Sequence, residues 1–143
     1  MPKRFTLEEA RSILPAVSGL LREAVSVKAG YEEAGNSFQA LTQKVMFRGG
    51  MAIDRERALD LRSRRDRFAQ HLKRTLEKIQ ETGCVIKDLD TGLVDFPTLF
   101  RGEEVYLCWK LDEPDITFWH GLEEGFAGRK TIDQDFVDHH SAE

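Results

Sequence analysis

Glu81-Thr82-Gly83-Cys84-Val85-Ile86-Lys87 is the stretch where the pattern of the chain changes. Before Gly83 apolar residues recur at helical spacing, and after it they run in short blocks or alternate, so a helical half gives way to a strand-like half. Upstream, Ala58, Leu61, Phe68, Leu72, Thr75 and Ile79 fall in heptad spacing, which predicts a helix from about Ile53 to Thr82 capped by Gly83. Arg65 lies on that stripe, where its stem packs and its head reaches solvent, and His71 beside the stripe takes a structural role. Downstream, Cys84-Val85-Ile86-Lys87, Leu93-Val94-Asp95-Phe96 and Val105-Tyr106-Leu107-Cys108-Trp109-Lys110 read as strands. The connectors, residues 88–92 and 101–103, carry the Asp and Gly that turns need, so an antiparallel meander is expected. Ile116-Thr117-Phe118-Trp119-His120 reads as a fourth strand or a short helix. The acidic end, residues 133–143, reads as a frayed tail.

At the other end, Thr6 followed by Glu9 forms a capping box with Phe5 placed to staple the first turn, so a helix starts at Leu7. Its buried stripe is Leu7, Ala10, Leu14, Val17, Leu21 and Ala24, widened by Ile13, Leu20 and Val27. Pro15 predicts a kink near Arg11 or a break before it, because proline removes one helical hydrogen bond. The pattern extends through Phe38, Leu41, Val45 and Met46 to a stop at Gly49-Gly50, with Gly30 and Gly35-Asn36 as weak points. A second helix of roughly 30 residues, rising about 1.5 Å per residue, folds back along the first and ends beside Val17. The N-terminal residues then overhang the hairpin and pack on whatever follows Gly83.

The expected fold is α+β: a long antiparallel helical hairpin over about residues 6–82, then a small antiparallel meander over about 83–132 packed on the N-terminal helical segment. At 143 residues and 16.4 kDa the chain suits a single domain. Two helices leave apolar stripe to cover, so a homodimer completing a four-helix bundle is expected. No apolar run approaches the roughly 18 residues that span a bilayer, and a cytoplasmic protein without membrane contact is expected. Cys84 and Cys108, flanked by apolar residues, read as buried free thiols in a reducing compartment.

Net charge is −4, but Asp54–Thr82 holds nine Lys or Arg against six Asp or Glu, while Asp112–Glu143 holds two against nine. The interleaved acids on the basic helix argue for intrahelical pairing over nucleic-acid binding. The segment also lacks the stacking aromatics and net positive charge of such an interface.

Several local runs carry a family resemblance: residues 5–10 (FTLEEA), 86–90 (IKDLD), 92–97 (GLVDFP), 105–109 (VYLCW), Phe118-Trp119-His120 and Gly125-Phe126-Ala127-Gly128-Arg129. Together they resemble a bacterial family catalogued as domain-of-unknown-function family 2203, weakly through the helices and strongly from Gly83 to Ile132. The resemblance implies no activity for any residue. Asp112 stands where it leads one to expect glycine, before Glu113-Pro114.

Two constellations are able to carry chemistry. Asp90, Asp95, Glu113 and His120, with Asp88, Asp112 and Asp115 nearby, combine carboxylates with an imidazole and suit a divalent metal cofactor. Asp88-Leu89-Asp90-Thr91-Gly92 begins like a calcium loop, but Leu99 stands where the bidentate glutamate belongs, and a hairpin turn explains the Asp content better. The second is an aromatic pocket from Tyr106, Trp109, Phe118 and Trp119, with Arg101, Arg129 or Lys87 to hold an anionic small molecule. His120 beside Glu113 and Asp115 suits a general base. Cys108 between Leu107 and Trp109 reads as buried and inert, and no serine lies in a nucleophile elbow. Residues 125–129 suit an anion-binding nest only weakly.

The leading expectation is a non-enzymatic interaction or small-ligand-binding protein with its site between Lys87 and Arg129. The alternatives are a metal-dependent hydrolase using Asp90 or Asp95, Glu113 and His120, and a regulator binding nucleic acid through Arg62, Arg64, Arg65 and Arg67.

Overall fold

A computed structural model describes residues 3–48 and 52–143, with side chains outside 45–54. Two helices come first, α1 (Leu7–Arg48) and α2 (Ala52–Glu81). They are followed by strands β1 (Val85–Asp88), β2 (Leu93–Phe100), β3 (Glu103–Lys110), β4 (Phe118–Gly121) and β5 (Lys130–Thr131), helix α3 (Gln134–His139) and strand β6 (His140–Ser141). This is the α+β arrangement expected from the change of pattern at Gly83. No helix among the described residues is long and apolar enough to cross a membrane. The expected stop at Gly49-Gly50 lies outside the described residues.

The capping box forms as its residues dictate. Thr6 Oγ1 accepts from Glu9 N at 3.1 Å, and Glu9 Oε1 accepts from Thr6 N at 3.2 Å. Helix α1 then runs without a break through Pro15, Gly30 and Gly35, so of the kink or break expected at Pro15 the break does not occur. Pro15 sits on the exposed face, where water can serve the carbonyl its ring leaves without a helical donor. Leu7, Ala10, Leu14, Val17, Leu21, Ala24 and Val27 are all buried, as the stripe requires. In α2 the heptad positions Leu61, Thr75 and Ile79 are buried, and Ala58, Arg65, Phe68 and Leu72 half-buried. Gly83 ends the turn after α2 at φ +98°, its N–H donating to the Gln80 carbonyl.

The chain divides into two compact units, Met1–Arg22 with Leu76–Glu143, and Glu23–Thr75. In the second, the two helices run antiparallel: Glu23 Oε1 meets His71 Nε2 at 2.8 Å, and the Arg65 guanidinium lies over the Phe38 ring at 5.3 Å. A Cβ on Gly30 would lie 2.7 Å from the Phe68 ring, so this glycine, expected as a weak point, is where the helices approach closely.

In the first unit, β1 to β5 are hydrogen-bonded in sequence order, all antiparallel, and β6 pairs with β2 at Leu99 and Phe100. The β2–β3 hairpin closes at Arg101-Gly102, with φ of 51° and 81°, the paired positive values of a type I′ turn. Alternation puts Val94, Phe96, Leu107 and Trp109 on one sheet face, all 2% exposed or less. The start of the chain covers that face: Phe5 meets Phe96 edge-on at 5.5 Å, its N–H donates to the Pro97 carbonyl at 2.7 Å, and Arg11 Nη2 donates to the Ile116 carbonyl. The acidic end is not frayed, which corrects the sequence expectation. Asp133 caps α3 by accepting from Phe136 N, and Phe136 is fully buried beside Phe100 and Trp119. A single aromatic residue in a short acidic run has no periodicity to announce it.

Asp112 occupies a turn in which Glu113 N donates to the Lys110 carbonyl, and its φ is +81°. The glycine-like conformation is therefore kept without the glycine. Left-handed backbone costs an L-residue about 1–2 kcal/mol, least for Asp. Asp112 also accepts from Arg22 at 2.7 Å, but both side chains are more than half exposed, so the pair contributes at most about 1 kcal/mol. Asp112→Gly is expected to change stability by no more than about 0.5 kcal/mol, the strain relief being offset by the lost pair and the added freedom of the unfolded chain. Urea unfolding checks this, and a loss well beyond that amount would show that the Arg22 pair and the chain entropy outweigh the strain.

Candidate functional site

The second sheet face is unusual in what it buries. Asp95 on β2 lies directly opposite Cys108 on β3, and Tyr106 lies opposite His120 on β4. Period-two alternation brings Asp95, Cys108 and His120 to the same side of three adjacent strands. Asp95 and Cys108 are fully buried and His120 is 3% exposed. His120 Nε2 stands 3.0 and 3.1 Å from the two Asp95 oxygens, while Nδ1 stands 2.8 Å from the Gly121 carbonyl. One metal-ligating atom from each of the three residues lies within 4.8 Å of the others.

Burial governs the electrostatics. Desolvation raises the Asp95 carboxyl above the usual carboxylate range, against the opposing pull of the His120 charge and hydrogen bond, a hydrogen bond from Cys108, and the Lys87 charge. The Cys108 thiol is pushed up to about 12, first by desolvation and then by the Asp95 charge. Cys84 is raised by desolvation too. Both cysteines are free and buried, as expected.

Around this cluster the face carries cations on aromatic rings. Lys87 Nζ lies 4.6 Å from the Tyr106 ring centre, and the Arg129 guanidinium lies 3.9 Å from that of Phe118 and 4.5 Å from that of Phe126. Arg129 also donates to both Glu113 oxygens at 2.8 Å. The 3-10 turn at residues 126–128 leads into Arg129, whose N–H donates to the Phe126 carbonyl. Beside it, Asp88, Thr91, Leu93, Lys110 and Phe126 line an open cavity of about 260 Å³, with Lys110 Nζ 5.5 Å from the Phe126 ring centre.

The expected metal set is thus only partly brought together. Asp95 and His120 meet. Glu113 is held by Arg129 and by the Lys110 backbone N–H, and Asp90 is exposed in the β1–β2 turn, its N–H donating to Asp88 Oδ1. The aromatic set divides between faces. Tyr106 and Arg129 belong to the Asp95 face, whereas Trp109 and Trp119 lie on the other, Trp109 donating to the Glu113 carbonyl and Trp119 packing on Phe100 and Phe136. Arg101 sits at the hairpin tip, paired with Asp135. Tyr106, Trp109, Trp119 and Arg101 therefore line no common pocket. Cys108 is buried, as expected, and the structure adds that it stands directly against Asp95. The turn is the two residues Arg101-Gly102, shorter than the connector expected over residues 101–103, and it fixes the register that sets Cys108 against Asp95.

Residues 3–132 match the model of an uncharacterized conserved protein family, DUF2203, and the chain belongs to that family. No curated protein and no solved structure matches it.

Proposed function

We propose that this family member is a non-enzymatic binding protein whose small-ligand site is the cavity between the β1–β2 turn, Lys110 and Phe126. One observation carries the reading: the groups suited to acid–base chemistry are sealed in the sheet, while the open concavity beside them offers an ammonium and an apolar wall. Leu93 and Phe126 suit an apolar body, and Lys110, in no salt bridge among the described residues, suits a carboxylate or phosphate. About 260 Å³ limits the ligand to a small molecule. Calorimetric titration with a panel of small carboxylates and phosphate esters tests it. Lys110→Ala is expected to weaken binding by about tenfold or more, as befits loss of a charged hydrogen bond. A panel without a binder, or a binder indifferent to Lys110, would remove this site.

A hydrolase using Asp90 or Asp95, Glu113 and His120 needs a water within reach of all three, and the engagement of Glu113 by Arg129 tells against that. Nucleic-acid binding through α2 predicts affinity falling steeply with salt. The pairing of Arg64 with Asp60 and of Arg65 with Asp66 weighs against it. The proposal includes a homodimer through the helical arm, where Leu59 is 59% and Tyr31 38% exposed. Light scattering decides the oligomeric state. Two free cysteines suit the reducing cytoplasm of a bacterium, which the proposal also takes as its location.

A further inference from the structure

Gly121 O can only accept, so the ring nitrogen 2.8 Å from it, His120 Nδ1, carries a proton. In the neutral imidazole this leaves a lone pair on Nε2, aimed at the two Asp95 oxygens. Acceptors facing one another in a dry interior require something positive between them. A proton satisfies the imidazole and the carboxylate alone. A metal ion would engage the Cys108 sulfur as well, which converges on the same point from the middle strand.

We propose that Asp95, Cys108 and His120 form a buried divalent-metal site of the zinc class, a structural clamp across β2, β3 and β4. Nitrogen, sulfur and oxygen donors on neighbouring strands form a set that zinc accepts. The Nδ1 donation to Gly121 O is the outer contact that fixes a ligating histidine's tautomer and aim. Charge also balances: carboxylate, thiolate, neutral imidazole and a divalent cation sum to zero, and binding releases two protons, that of the thiol and the one shared by His120 and Asp95. Arg129, a nearby cation, is neutralised by Glu113, and Lys87 lies exposed over Tyr106. Zinc–nitrogen and zinc–oxygen bonds of about 2.0–2.2 Å at tetrahedral angles place N and O about 3.3–3.5 Å apart, so the pair opens by only a few tenths of an ångström. Neither Lys110 nor its cavity enters, so this site stands or falls apart from the ligand reading.

Cobalt(II) reads out the sulfur ligand directly. The full chain, without an affinity tag, is stripped with chelator in denaturant and refolded with Co²⁺ while absorption is recorded. The expected result is saturation at one equivalent, with a near-ultraviolet sulfur-to-cobalt charge-transfer band that Zn²⁺ bleaches. Cys108→Ser loses that band, Cys84→Ser keeps it, and Asp95→Asn weakens binding by about tenfold or more. Wild-type protein that refolds by circular dichroism yet shows no band overturns the proposal, as does a band surviving in Cys108→Ser. Should Cys108→Ser fail to fold, the wild-type titration and the Cys84→Ser control decide by themselves.

Discussion

Asp95→Ala is expected to lower the unfolding free energy of metal-free protein by about 3–5 kcal/mol, the loss typical when one partner of a buried polar pair is removed. The reason is what remains. Asp95 is fully buried and contributes both oxygens to His120 Nε2, so alanine leaves that nitrogen facing a cavity too dry to supply a substitute. Asp95→Asn separates this cause from simple loss of volume. With Nδ1 donating to Gly121, Nε2 can accept from the asparagine amide, and the cost should fall to about 1 kcal/mol, that of one ordinary hydrogen bond. Urea unfolding of both variants, in chelator, measures the difference. If alanine cost no more than asparagine, the unpaired His120 nitrogen would not be the source of the loss.

Gly92→Ala should cost about 2–5 kcal/mol, lowering the midpoint of thermal unfolding by roughly 10 °C for a chain of this size. Two penalties combine. Gly92 has φ +72°, which costs an L-residue about 1–2 kcal/mol, and its Cβ would stand 2.5 Å from Leu111 Cβ, an overlap of a kind that costs about 1–3 kcal/mol. Neither segment can retreat, because Leu111 N donates to the Gly92 carbonyl at 2.9 Å and Gly92 N donates to that of Leu89. Gly102→Ala isolates the first penalty: φ is +81°, but nothing lies within 4 Å of the added Cβ. Gly102→Ala should therefore cost only about 1–2 kcal/mol. Equal losses at the two positions would mean that Leu111 moves aside and the contact is unimportant.

The neighbourhood of Gly92 also illustrates why sequence reading succeeded where it did. Turn chemistry is local: Asp88 accepts from Asp90 N, two residues on, as turn aspartates do, and glycine takes the left-handed position. The capping box and the heptad stripe of α2 are local as well, since helix periodicity fixes which residues share a face before any partner is present. The division of the aromatic residues was also legible, because positions 106 and 109 differ by an odd number and cannot share a face of one regular strand. Grouping them by composition overlooked the alternation.

What the sequence by itself determined is the order and type of the long elements, the helix start at Leu7, the cap at Gly83 and the place of the turn between β2 and β3. Each depends on interactions within a few residues or across one tight turn. Tertiary structure alone decided that Asp95 is buried, since an aspartate in a strand beside a turn has the same local signature buried or exposed. It decided the position of His120, whose strand pairs with β3 only after the non-repetitive segment 111–117, and the docking of Phe136, which depends on β6 reaching back to β2. These are contacts between residues distant in sequence, and no local periodicity encodes them because their free energy comes from excluding water between surfaces that the chain brings together only on folding.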